Sequence, residues 1–226
     1  MILDSLLAVL APHECLGCNT EGRLVCTTCR ASLAVPDKRC YKCHEPGRSM
    51  ATCAVCRPNS PLTSVQAATR YTGVGKELIH KLKFGRAKSA ASEIADIIAD
   101  RLGLDSRMNA YGNIIIVHAP TATSRVRTRG YDQSRLVARA LAVRSGIPYH
   151  PVLMRAGQNK QVGSDKAQRK TQMLSAYYPV SLRRIRGAHV LLVDDVCTTG
   201  STLEAAASVL IRAGAARVDG IVFAKA

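Results

Sequence analysis

Eight of the nine cysteines stand in four Cys-x2-Cys pairs, Cys15/Cys18, Cys26/Cys29, Cys40/Cys43 and Cys53/Cys56, and the ninth, Cys197, stands apart. No other feature restricts the start of the chain so tightly. A Cys-x2-Cys turn aims both thiolates at one point, two such turns complete a tetrahedral shell, and four thiolates suit structural zinc. A disulfide framework is disfavoured, because the sequence shows no secretion signal and a reducing cytosol opposes it. The pairing is either sequential or interleaved. Spacers of seven and nine residues within the sets, each enough for a hairpin, and a turn at Pro36-Asp37 between them favour sequential pairing into two knuckles. Knuckles this small cannot fold on apolar burial alone, so metal binding supplies their folding energy. His13 and His44 lie beside cysteines that already fill each shell, so both are expected outside the shells or on the surface. Cys197 is expected to be structural, not a nucleophile.

The segment Met1 to Pro12 sets Leu3, Leu6, Leu7 and Leu10 on one helical face, but it is too short to span a bilayer and lacks a basic leader. No membrane insertion and a cytoplasmic location are expected. The 226 residues allow one α/β domain of about 150 residues beside the cysteine module. Residues 1–63 hold seven basic and five acidic residues, leaving 25 basic against 11 acidic residues, a net +14, in residues 64–226. Such a field attracts phosphates, on a metabolite or along a nucleic-acid backbone. The basic residues Lys76, Lys81, Lys83 and Arg86 are expected to share a face that could track such a backbone. The scarcity of aromatics there argues for phosphate contacts rather than base stacking.

Past Leu62 the pattern alternates. A short strand ends near Tyr71, and helices follow through Ile79 and Leu82 and over Ala90–Leu102. Ile114–Val117 is a continuous β-branched run, as a strand buried on both faces requires. A helix over Asp132–Arg144, a strand over Ile147–Met154, a polar loop over Arg155–Gly163 and a helix over Ser164–Ser175 come next. The apolar run Val190–Val193, a helix over Ser201–Arg212 and a strand over Val218–Phe223 close the chain. This order predicts an α/β fold, a parallel sheet flanked by helices, with ligands at the carboxyl ends of the strands.

The chemistry concentrates in Val190–Thr202, VLLVDDVCTTGST. A buried strand delivers Asp194 and Asp195 to its carboxyl end, and Thr198, Thr199, Gly200, Ser201 and Thr202 then open a helix. Backbone N–H groups and the helix N-terminus converge there as a phosphate cradle beside two carboxylates. Carboxylates accept hydrogen bonds from vicinal ribose hydroxyls, and a divalent ion offsets their repulsion. A sugar phosphate fits both halves.

These thirteen residues resemble the phosphoribosyl pyrophosphate motif of type I phosphoribosyltransferases. With the cysteine pairs, Leu78–Gly85 (LIHKLKFG) and the stretch Arg125-x-Arg127-x-Arg129-Gly130-Tyr131-Asp132-Gln133-Ser134, the resemblance is to the ComF family over nearly the whole chain. It implies an apolar helix plus a double zinc-ribbon or knuckle module over residues 1–61, and a phosphoribosyltransferase-type domain over 62–226. It also implies that Asp194 and Asp195 hold the ribose hydroxyls and Thr198–Thr202 the 5′-phosphate. Pro120, Thr121, Ala122, Thr123 and Ser124 form the pyrophosphate loop, and Arg125, Arg127 and Lys160, with magnesium, stabilise the leaving group. Arg129 adds charge there. The sequence departs from the family pattern at His118-Ala119-Pro120-Thr121, at Asp132, where Asn is usual, and at Asn159.

Two functions follow from the resemblance. One is a binding module for magnesium phosphoribosyl pyrophosphate in DNA uptake and natural transformation, with single-stranded DNA and a competence helicase or other uptake proteins as partners. The other is an active phosphoribosyltransferase of nucleotide metabolism that transfers phosphoribosyl to a nitrogen nucleophile. The sequence names no acceptor.

Overall fold

The computed structural model describes residues 13–47, 49–85, 87–156 and 176–226. The helices expected over Met1–Pro12 and Ser164–Ser175, together with Arg86, Asn159 and Lys160, lie outside the described residues.

The centre is a parallel sheet in the order β1, β6, β5, β2, comprising β1 (Ser64–Arg70), β2 (Ile114–His118), β5 (His189–Cys197) and β6 (Arg217–Lys225). Every residue of β2 is buried, as the unbroken run Ile114–Val117 demands of a strand covered on both faces. Strand residues alternate between two apolar layers. Ile116, Leu191, Val193, Ile221 and Phe223 meet α2 (Gly73–Phe84), α3 (Ala87–Leu102) and α5 (Gln133–Ser145). Ile115, Val117, Val190, Leu192, Val218 and Val222 meet α7 (Ser201–Arg212).

The two cysteine modules straddle the β1 edge. The first, with α1 (Thr27–Ala31), buries Leu24, Val25 and Leu33 in the α2–α3 layer, and Arg101 of α3 ties it down by donating to the carbonyls of Arg30, Leu33 and Ala68 at 2.9, 3.0 and 3.1 Å. The second buries Tyr41 in the α7 layer. It also runs antiparallel to the start of β1, with Ala51 bridged to Ser64 and the Val65 N–H donating to Met50 O at 3.2 Å.

Three segments differ from the sequence pattern. Ile147–Met154 does not form one strand. Tyr149 makes a single bridge to Ile116, and only Leu153–Arg155 is extended, as β3, antiparallel to β4 (Tyr177–Pro179). Pro148 and Pro151 explain the break, since neither can donate to a ladder. The arginine-rich stretch after Ala122 coils into a two-turn helix, α4 (Thr123–Arg129), ended by Gly130 at φ +79°. A short α6 (Leu182–Ile185) precedes β5.

Candidate functional site

The cysteines gather sequentially. The Sγ atoms of Cys15, Cys18, Cys26 and Cys29 lie within 4.8 Å of one another, and so do those of Cys40, Cys43, Cys53 and Cys56. Four sulfurs at zinc–sulfur distances of about 2.3 Å would stand about 3.8 Å apart, so both quartets fit a tetrahedral ion. The turns are copies of one another. Cys15 N–H donates to Thr20 O and Cys40 N–H to Glu45 O, while Gly22 N–H reaches His13 O and Gly47 N–H reaches Lys38 O. After the second cysteine of each turn comes a left-handed residue, Asn19 at φ 60° and His44 at φ 61°. His44 is thus a turn residue and no member of a quartet.

The thiols are electrostatically unequal. Burial pushes Cys15 up, but N–H groups of Cys26, Gly17 and Cys18 outweigh it and bring the thiol down to about 6. Cys40 shows the same balance, its helping N–H groups coming from Cys43, Cys53 and Lys42. The neighbouring sulfurs Cys26 and Cys15, with burial, push Cys29 up to about 12. Each quartet could hold a cation at its centre.

The second quartet reaches the Thr198–Thr202 loop through Tyr41, between Cys40 and Cys43. Its hydroxyl donates to Glu204 Oε1 on α7 at 2.9 Å and meets Ser60 Oγ at 2.5 Å, and Lys42 Nζ joins the same carboxylate at 2.9 Å. The Tyr41 ring lies beneath Gly200. A Cβ on Gly200 would come within 2.9 Å of Tyr41 Cδ2, and Gly200 sits at φ +82°, so both space and backbone require glycine. Thr198, Thr199, Ser201 and Thr202 stand exposed around it. Lys225 Nζ donates to Thr198 O and lies 3.8 Å from Cys197 Sγ, which is buried. Burial pushes the Cys197 thiol up, as an inert structural cysteine requires.

Asp194 and Asp195 lie in the carboxyl-terminal half of β5, Asp194 half-buried and Asp195 buried. Ser134 Oγ, at the start of α5, and the Asp195 N–H both donate to Asp194 Oδ1, at 2.7 and 2.9 Å. Burial and then the Asp195 charge push Asp194 up to about 8, against the pull of Ser134. Lys83 Nζ of α2 lies 3.0 Å from Asp195 Oδ2. Lys83 therefore points inward, off the basic face on which the sequence pattern placed it, while Lys76 and Lys81 stay exposed.

Across the site, Pro120–Ala122 forms the loop after β2, the strand paired with β5, while Thr123 and Ser124, expected in that loop, open α4 instead. Asp132 fastens this loop, accepting from Thr121 N–H at 2.9 Å and Thr121 Oγ1 at 3.0 Å while capping α5 through Arg135 N–H at 3.1 Å. The two carboxylate oxygens of aspartate have acceptor capacity for all three. Burial holds His118 down at about 4 despite Asp132 nearby, so this histidine is neutral, with Tyr149 Oη 3.0 Å from its Nδ1. Arg125 and Arg127 project from α4, exposed. Arg129 turns away to lie 5.1 Å over the Phe84 ring.

The Phosphoribosyl transferase domain family matches residues 126–226, which include the Asp194–Thr202 stretch. Competence protein ComFC of Bacillus subtilis is 26% identical over 200 residues, 85% of this chain and 80% of that protein. The DNA utilization protein YhgH of Salmonella typhi is 27% identical over 199 residues, 86% of this chain and 87% of its own. Both alignments cover most of either chain, and this chain carries the two cysteine quartets as well as the transferase domain. The chain is ComF-like. An adenine phosphoribosyltransferase of Mycobacterium marinum is 30% identical over 128 residues, 57% of this chain and 66% of that protein.

The ComF-like chain thus has a type I phosphoribosyltransferase fold carrying two four-cysteine clusters. The structure brings Asp194, Asp195, Thr198–Thr202 and Pro120–Ser124 to the carboxyl ends of neighbouring strands. Three supporting contacts were not read from the sequence: Lys83 to Asp195, Ser134 to Asp194, and Tyr41 to Glu204, 163 positions away.

Proposed function

We propose that this chain binds magnesium phosphoribosyl pyrophosphate between the two loops and serves DNA handling, a reading supported by its likeness to a competence protein, ComFC, and a DNA utilization protein, YhgH. The observation that carries the reading is the acidic pair. Asp194 is forced toward its neutral form beside Asp195, and the Gly200 loop opens a helix next to both. Ribose hydroxyls donating to the two carboxylates, and a divalent cation nearby, would relieve that repulsion. Thr198–Thr202 would hold the 5′-phosphate, and Pro120–Ser124, with Arg125 and Arg127, the pyrophosphate. Magnesium would supply charge to the leaving pyrophosphate if transfer occurs. Lys83 would surrender Asp195 to the ribose or keep it oriented. In the same reading zinc fills both quartets, and residues 1–61 and 62–226 are the module and the domain.

Phosphoribosyl pyrophosphate with magnesium is expected to raise the melting temperature, about 2.7 kcal/mol of stabilisation accruing at a ligand concentration of 100 times Kd. Asp194→Asn with Asp195→Asn should remove that shift while leaving a cooperative melt. A full shift in the double variant would rule out the acidic pair as the binding site. Following pyrophosphate release with a panel of bases separates the two functions, since release with one acceptor makes the protein a transferase and binding without release makes it a ligand-responsive module.

A further inference from the structure

The scarcity of aromatics in the basic region does not extend to its surface. Phe84, the last residue of α2, is 66% exposed beside the site. His80, one helical turn earlier, lies with its ring centroid 5.0 Å away at 45°, and the Arg129 guanidinium covers the Phe84 ring at 5.1 Å. These three residues form a tilted cluster in which His80 and Phe84 are exposed and Arg129 is half-buried, its Nη1 enclosed. Tyr131 donates from its hydroxyl to Leu82 O at 2.7 Å, which pins the turn after α4 to the end of α2 and holds Arg129 in place. A groove of about 340 Å³ adjoins the cluster, lined by Ala87, Lys88, Ser89, Tyr131 and Leu136. Lys76, Lys81, Lys88, Arg125 and Arg127 are exposed on the three helices around it. Phe84 directly follows Lys83, which touches Asp195.

We propose that the His80–Phe84–Arg129 cluster is a platform for the bases of single-stranded nucleic acid, with the surrounding cations taking the phosphates. This rests on the DNA-handling reading and adds to it the residues that meet the strand. An exposed ring with a guanidinium beside it offers what base stacking needs and what a duplex, whose bases are already stacked, cannot use. The openness of the ledge favours a strand over a free base. A small base would need enclosing walls to be held by one-sided stacking, whereas a strand is held at the ledge by its own backbone.

Fluorescence anisotropy of a labelled oligothymidine on the full-length, metal-loaded protein provides the test. Phe84→Ala is expected to weaken binding about ten-fold or more, the range for one base–aromatic stack. Phe84→Tyr should retain most of the affinity. The slope of log affinity against log salt should not change with Phe84→Ala, because no phosphate contact is lost, whereas Lys76→Ala with Lys81→Ala should reduce it by roughly 1.4. An abasic strand should be indifferent to Phe84→Ala. An unchanged melting temperature, with and without phosphoribosyl pyrophosphate, confirms that the variant folds. If Phe84→Ala binds as wild type while the lysine variant loses slope, the platform is wrong and the nucleic-acid reading stands. If the wild type binds no strand even at low salt, the nucleic-acid reading falls and takes the platform with it. Competition by free adenine at the same residues would overturn the proposal in favour of a small-base site.

Discussion

Cys43→Ser is expected to abolish phosphoribosyl pyrophosphate binding, although no cysteine of the second quartet belongs to the proposed ligand site. The link is Tyr41, held between Cys40 and Cys43, whose ring fills the space beneath Gly200 and whose hydroxyl reaches Glu204 in the first turn of α7. Structural zinc in knuckle peptides supplies about 10–16 kcal/mol of binding free energy. Burying a side chain such as Tyr41 or Leu62 returns only about 1.5–3 kcal/mol each. Metal therefore decides whether this knuckle is folded, and an unfolded knuckle leaves Gly200 without its floor. Cys18→Ser makes the control. The first quartet packs on the opposite layer, through Leu24, Val25 and Leu33, and its loss should lower stability while the Gly200 loop keeps Tyr41. Each variant should retain about one zinc per chain by elemental analysis, and titration calorimetry should show ligand binding in Cys18→Ser alone. Wild-type affinity in a Cys43→Ser protein holding one zinc would show that the cradle does not depend on the knuckle.

The same contact shows where sequence reading reaches and where it stops. The four cysteine pairs, the β-branched runs of β2 and β5 and the stretch from Asp194 to Thr202 were legible because each is a local pattern: a turn, a buried strand, a strand-to-helix loop. What could not be read was which distant side chains complete the site. Tyr41 and Glu204 are separated by 163 positions, and neither has a spacing that predicts the other. Lys83 sits in a helix with lysines on other sides of it, and only the packing of α2 against the sheet selects it to face Asp195. Phe84 was overlooked for the opposite reason. A low aromatic content is a chain-wide average, and one exposed ring beside one arginine suffices for a local stack. The continuous strand expected over Ile147–Met154 failed on Pro148 and Pro151, a local signal that outranks apolar content.

Asp194→Asn on its own is expected to stabilise the ligand-free protein at neutral pH while weakening ligand binding, two effects of opposite sign from one atom. Burial and the Asp195 charge raise the folded-state value of Asp194 from 3.8 to about 8. A carboxyl group raised on folding binds its proton more tightly in the folded than in the unfolded chain. Its contribution favours folding most when both states are protonated, below about pH 4, and is lost as pH rises from there toward 8. Asparagine cannot ionise, and its Oδ1 can still accept from Ser134 Oγ and the Asp195 N–H, so the variant keeps both hydrogen bonds and escapes the pH-dependent cost. The expected result is a gain of several degrees at pH 7.5, at roughly 2–4 °C per kcal/mol for a chain of this size. That gain should shrink as the pH is lowered toward 5. Zinc ligands also titrate toward acid, so the comparison is made as the difference between variant and wild type at each pH, with metal content checked at each point. With magnesium and phosphoribosyl pyrophosphate added, the order should reverse, because the ligand would stabilise the wild type and not the variant. A variant that is less stable than wild type throughout pH 5 to 8 would mean that Asp194 is ionised and satisfied within the fold, and that the repulsion assigned to the acidic pair does not exist.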